Sequence, residues 1–120
     1  MNSTKLKKPG LPKRDFLGEF EQIVLLATLR LRDDAYGMTI RQEIQRCTGR
    51  DTSVGAVYIT LDRLLAKGYV STVQGEPTEE RGGRAKRFYR VEGHGLKALR
   101  HSQEAMHNML DGLSLTPETV

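Results

Sequence analysis

Between Asp15 and Arg32 nearly every other residue is apolar, and this run limits the possible folds more than any other feature of the chain. Leu17, Phe20, Ile23, Val24, Ala27 and Leu31 recur at helical spacing, while Leu25, Leu26 and Leu29 widen the stripe. A helix this apolar has to be a central pillar covered on more than one side. Asp15 is its expected N-cap, and Asp33 and Asp34 break it.

The second helix is short and amphipathic. Residues 38 to 48 place Ile40 and Ile44 one turn apart with Cys47 on the same flank, and Gly49 stops the helix. After the polar turn Arg50-Asp51-Thr52, Ser53 caps a third helix running to Lys67. Val57, Leu61, Leu64 and Leu65 form its buried stripe, and Gly68 ends it. Residues 69 to 74 and 86 to 91 read as two strands of a hairpin, because β-branched residues fill the first and the second alternates. The connection between them, with Gly75, Pro77, Gly82 and Gly83, is too long for a tight turn and is expected to project as a loop. A last helix from about Gly93 to Asp111 carries Leu96, Leu99, Gln103, Met106, Leu110 and Leu113 at alternating spacings of three and four, a seam for a partner helix.

The expected fold class is therefore mainly α with a small β-hairpin. Residues 1 to 14 form a basic arm, 15 to 91 a winged helix-turn-helix, 92 to 113 a C-terminal dimerisation helix, and 114 to 120 a tail. In a winged helix the third helix enters the major groove and the hairpin loop lies on the flanking backbone. Here that helix is polar or small opposite its stripe: Ser53, Gly55 and Ala56 let the backbone approach DNA, Tyr58 and Ile59 follow, and Arg63 reaches phosphate or guanine. Tyr58 reads equally well as a boundary residue with its ring packed and its hydroxyl in water.

Charge sharpens this picture. The chain of 120 residues has a net charge of +4, but Lys5, Lys7, Lys8, Lys13 and Arg14 account for +5, so residues 15 to 120 sum to −1. A neutral body has no general attraction for phosphate, so any nucleic-acid contact must rest on local patches. The arm either solubilises the chain or follows DNA phosphates. Arg81, Arg84, Lys86, Arg87 and Arg90 supply a patch around the hairpin, hinged at Gly82 and Gly83. Glu76, Glu79 and Glu80 make the first half of that loop acidic, which places the expected DNA contacts at Gly83, Arg84 and Lys86.

Two separated segments carry a family resemblance. Ser53-Val54-Gly55-Ala56-Val57-Tyr58, with Leu61-Asp62-Arg63-Leu64 and Gly68-Tyr69-Val70, resembles the recognition helix of the PadR-type transcriptional regulators. Gly83-Arg84-Ala85-Lys86-Arg87-Phe88-Tyr89 resembles that family's wing, and Gly95 matches the glycine opening its last helix. The likeness spans about residues 16 to 111 and is to the compact branch with a single C-terminal helix. It implies a dimeric winged-helix repressor of double-stranded DNA, often released by a small molecule; two-fold symmetry then leads to an inverted-repeat operator, and the lack of a membrane span or secretory signal to an expected cytoplasmic location. Ile59, Leu65 and Glu92 depart from the family pattern, where proline, an acid and a capping threonine are common. Met106 and Met109 with Phe16 and Phe20 are the candidate pocket for an apolar effector, with plain core packing the simpler reading.

Other classes find less support. No apolar stretch nears the roughly 18 residues of a membrane span, and no secretory h-region follows the basic N-terminus. Cys47 is the single cysteine, so no internal disulfide can form. His94, His101 and His107 lack partners at metal-ligand spacing, no nucleophile or phosphate-loop motif appears, and Gly82-Gly83 is simply a turn. Neither an enzyme nor a bound cofactor is expected. A winged helix used for protein contact or for RNA is the remaining alternative, although few aromatics are free to stack on bases.

Overall fold

The structure, a computed structural model, describes residues 16–75 and 86–117. The expected arm, the Asp15 cap and most of the hairpin loop lie outside that range. Among the described residues, four helices and one antiparallel hairpin occur in the order α1 (Glu19–Leu31), α2 (Gly37–Thr48), α3 (Val54–Ala66), β1 (Val70–Gln74), β2 (Arg87–Val91) and α4 (Gly93–Leu110), with a 3₁₀ turn at Arg32–Asp34. The architecture is mainly helical, as expected.

α1 begins later than the apolar run suggests. The Glu21 carboxylate folds back to accept the Gly18 N–H at 2.9 Å, and the Leu17 N–H donates to Ser102 Oγ of α4 at 2.9 Å. Leu17 is thereby held outside the helix but inside the core. Val24 and Leu25 are fully buried, whereas Leu26 and Leu29 stay partly in water, so the pillar is covered on fewer sides than its composition implies. Around it pack Ile40 and Ile44 of α2, Val57, Leu61 and Leu64 of α3, Tyr69, Val70 and Tyr89 of the hairpin region, and Ala98 and Leu99 of α4.

α2 ends as the sequence requires, on Gly49 at φ 75°, a left-handed position that a side chain would strain. Cys47 stands on the same flank as Ile44, as expected, with its side chain exposed. A surface groove of about 270 Å³ separates the last turn of α2 from α1 there, lined by Ile23, Leu26, Ala27, Ile44 and Cys47 among others, and the thiol at its edge meets Arg46 Nη2 at 3.4 Å and Glu43 Oε2 at 3.5 Å. Arg30 and Arg46 bracket Glu43 at the rim of this groove, each at 2.7 Å.

Hydrogen bonds from Arg46 and Arg30 hold the Glu43 carboxyl at about 2, below the ordinary 4.5. A carboxylate with a depressed pKa stabilises the fold in full above its unfolded value and loses that contribution as pH falls toward the folded value. The stability difference between the wild type and Glu43→Gln is therefore expected to shrink between pH 4.5 and 2. Urea unfolding of both at several pH values checks this, and a constant difference would remove Glu43 as the source.

β1 and β2 pair from Val70↔Val91 to Gln74↔Arg87. β2 has a second neighbour, because the Tyr89 N–H donates to the Ala35 carbonyl at 2.8 Å. The hairpin is thus anchored on the segment between α1 and α2. α4 begins directly after β2, its Leu96 N–H bonded to the Glu92 carbonyl at 2.9 Å, and Glu92 accepts the Ser71 hydroxyl instead of capping the helix.

The seam along α4 divides in two. Leu99 is only 6% exposed, so its expected place at a partner interface is corrected: it belongs to this chain's own core. Gln103 is exposed but donates to Gln22 of α1 at 2.6 Å. The reason is geometric. One face of α4 lies on α1 through Ala98, Leu99 and Ser102, and the same face continues past α1, where Met106 is 59% exposed and Leu110 and Leu113 are also open to solvent.

Candidate nucleic-acid interface

α3 presents two opposed faces because its apolar period is short and regular. Val57, Thr60, Leu61 and Leu64 are buried, and the outward side carries Gly55, Tyr58, Ile59, Asp62, Arg63 and Ala66. Ser53 caps the helix, its Oγ accepting the Ala56 N–H at 3.0 Å, so one of the free amides at the N-terminus is satisfied and the rest face outward. Ser53, Gly55, Tyr58, Ile59 and Arg63 are exposed together on this surface, with Ala56 half-buried at its edge.

The link between α2 and α3 is set by a side chain that no sequence motif marks. Arg41 reaches out of α2 to donate through Nε to the Thr52 carbonyl at 2.7 Å and through Nη2 to Asp51 at 3.3 Å. Arg50 in the same turn pairs with Glu19 at 3.2 Å and lies 5.4 Å from the centre of the Phe20 ring. Together they fix the angle at which α3 leaves the body.

Lys86 stands at the base of the hairpin, half-buried. Its ammonium lies 4.5 Å from the centre of the Tyr36 ring and 3.3 Å from the Tyr36 hydroxyl. Tyr36 also meets Phe88 of β2 edge-on at 5.4 Å. These contacts place Lys86 beside the N-terminus of α2, where free amides already favour an anion. Tyr58 comes to the same place from α3. Its ring covers Gly37 so closely that a Cβ there would stand 2.3 Å from the phenol carbon and oxygen, and any side chain at that position would push the tip of the ring aside. The boundary reading of Tyr58 fits these contacts: the ring is packed on Gly37, and the residue keeps 41% of its surface exposed.

Arg87 and Arg90 are exposed on β2. Between them Tyr89 is buried, and its hydroxyl has no hydrogen-bond partner among the described residues. Burial raises its pKa, and the neighbouring Arg87 guanidinium pulls the other way. Gly83 and Arg84 lie outside the described residues. Tyr36, Gly37 and Arg41 were missed by sequence reasoning; only the tyrosine, an aromatic ahead of a helix, carried any signal there.

The four residues expected to line an effector pocket have separate surroundings. Phe16 stacks on His101 with ring centres 4.6 Å apart, Phe20 lies beneath Arg50, and Met106 and Met109 face solvent. Among the described residues there is no cluster of three or more His, Cys, Asp or Glu side chains able to hold a metal, and no helix is long and apolar enough to cross a membrane.

Three helices, a connecting turn held by arginines, an outward-facing third helix and an adjoining hairpin define a winged helix-turn-helix protein. The chain belongs to the transcriptional regulator PadR-like family, whose model matches residues 25–101. That family is one of regulators, not enzymes. Its fold is shared by a transcriptional regulator from Clostridium thermocellum (21% identity, 81% of this chain and 88% of the other, TM-score 0.63). It is also shared by PadR family regulators from hypervirulent Clostridium difficile (19%, 75% and 90%, 0.59) and from Eggerthella lenta (24%, 78% and 81%, 0.59). No curated protein matches the chain.

Proposed function

We propose that this chain is a cytoplasmic, sequence-specific regulator that binds double-stranded DNA as a homodimer and represses transcription from an inverted-repeat operator. The observation that carries the reading is α3: a helix buried on one side, capped by Ser53, with Tyr58, Ile59 and Arg63 exposed on the other, while Lys86 is held on Tyr36 at the start of α2. Lys86, Tyr58 and the N-terminus of α2 converge where a phosphate of the DNA backbone would pass, and Arg87 and Arg90 extend the positive charge along β2. Repression, as opposed to activation, is supported by the family resemblance.

Selecting bound duplexes from a random pool with the purified protein tests this directly. A palindromic consensus with half-sites about one helical turn apart is expected. Affinity for it should fall roughly a thousandfold or more between about 50 and 200 mM salt if the dimer makes on the order of six to ten phosphate contacts. No enriched sequence would favour the protein-contact use of the same fold.

The dimer is supported by the exposed part of the seam, Leu96 in the first turn of α4, Met106 and Leu110 in its last turns and Leu113 just past its end, which a second copy of the helix can bury. Leu110→Asp would put a charge into that contact. Sedimentation is expected to show wild type as a dimer and the variant at roughly half its mass; the same monomer for both would end the dimer reading.

A further inference from the structure

The ridge of α3 opposite its buried stripe has little capacity for hydrogen bonding. At about 100° per residue, Gly55, Ile59, Asp62 and Ala66 all fall within roughly 30° of the line facing away from Val57, Thr60, Leu61 and Leu64. Gly55 and Ala66 extend no further than a methyl group. Ile59 and Asp62 are therefore the two side chains on that ridge long enough to touch a base edge. Ile59 is 61% exposed, and no packing role within the chain accounts for an isoleucine there.

In the major groove every base edge presents donors and acceptors, and the single apolar group is the 5-methyl of thymine. An isoleucine set over any other edge would leave a polar base atom dry and unpaired, which is unfavourable. We infer that Ile59 is a specificity-determining residue that packs against the 5-methyl group of a thymine in each half-site. This rests on the proposal that α3 meets DNA. Asp62, one turn away on the same ridge, is repelled by phosphate and accepts from a cytosine amino group, which keeps the ridge aimed at base edges.

The test uses the duplex selected from the random pool, with each thymine of a half-site replaced in turn by deoxyuridine, which differs only in lacking the methyl. For the wild type, one position is expected to lose about fourfold in affinity per half-site, the worth of one buried methyl group. The Ile59→Ala protein, which should fold normally because the side chain is exposed, is expected to bind thymine and deoxyuridine equally at that position. No sensitive thymine, or a sensitive thymine that stays so in Ile59→Ala, overturns the role of Ile59 while leaving DNA binding intact. Failure to enrich any duplex overturns the DNA-binding proposal and this inference with it.

Discussion

Replacing Gly95 with alanine is expected to destabilise the protein by about 2–3 kcal/mol, the cost of forcing an extra carbon into a packed site whose walls cannot move. Gly95 is buried in the first turn of α4. A Cβ there would stand 2.3 Å from the Tyr69 carbonyl oxygen and 3.1 Å from both the Tyr69 carbonyl carbon and Val91 Cγ1. The obstacle is backbone held in place, because the Tyr69 oxygen accepts the Glu92 N–H at 2.9 Å while the Tyr69 N–H donates to Leu64 at 2.9 Å. Moving it would loosen the joint between α3, the hairpin and α4 at once.

Helix propensity alone argues the other way, since alanine is favoured over glycine by about 1 kcal/mol inside a helix. Gly93 supplies the control, because a Cβ at that position meets nothing within 4 Å. Gly93→Ala should be neutral or slightly stabilising. Urea unfolding would show a lower midpoint for Gly95→Ala with an unchanged slope. Equal midpoints for the two variants would mean that α4 shifts freely on the hairpin, against the hydrogen bonds that hold Tyr69.

Removing Arg63 is the second change with a large expected effect, on binding rather than on folding. The side chain is exposed on the outward face of α3, and no ion pair among the described residues engages it. Arg63→Ala should therefore leave stability nearly unchanged. Affinity for the selected duplex should fall roughly ten- to a hundredfold, the worth of a bidentate arginine contact to a guanine edge. Lys86→Ala is the informative comparison. Its ammonium is shared with Tyr36 at the base of the hairpin, so its loss should weaken all sequences alike and lower the salt slope by about one charge. If Arg63→Ala binds the selected duplex as tightly as wild type, the exposed face of α3 is not the reading surface.

How much of the fold and the interface was legible in the chain depended on the range over which each feature is set. Ser53 as cap, Gly49 and Gly68 as stops at φ 75° and 77°, and the buried stripe through Val57, Leu61 and Leu64 depend on neighbours within a turn or two. Such neighbours are written next to one another in the sequence. The hairpin was legible for the same reason, since alternation within a strand decides which side of the pleat each residue occupies. The start of α1 was not, because Leu17 is held by Ser102 of α4, a residue 85 positions away.

Local period and capping residues by themselves determined the order of elements, most of their boundaries and the outward face of α3. Tertiary structure alone decided which apolar faces are covered. Leu99 and Met106 belong to one seam in the sequence, yet the first is buried in the core and the second is not, because Phe16, Leu17 and Gln22, at the start of α1, meet α4 at His101, Ser102 and Gln103 and the seam runs on past them. It also brought Lys86 to Tyr36 and Tyr58 to Gly37, contacts that join the hairpin, α2 and α3 at one place. Periodicity records that a face is apolar or charged. What stands opposite that face depends on where distant helices begin, end and cross.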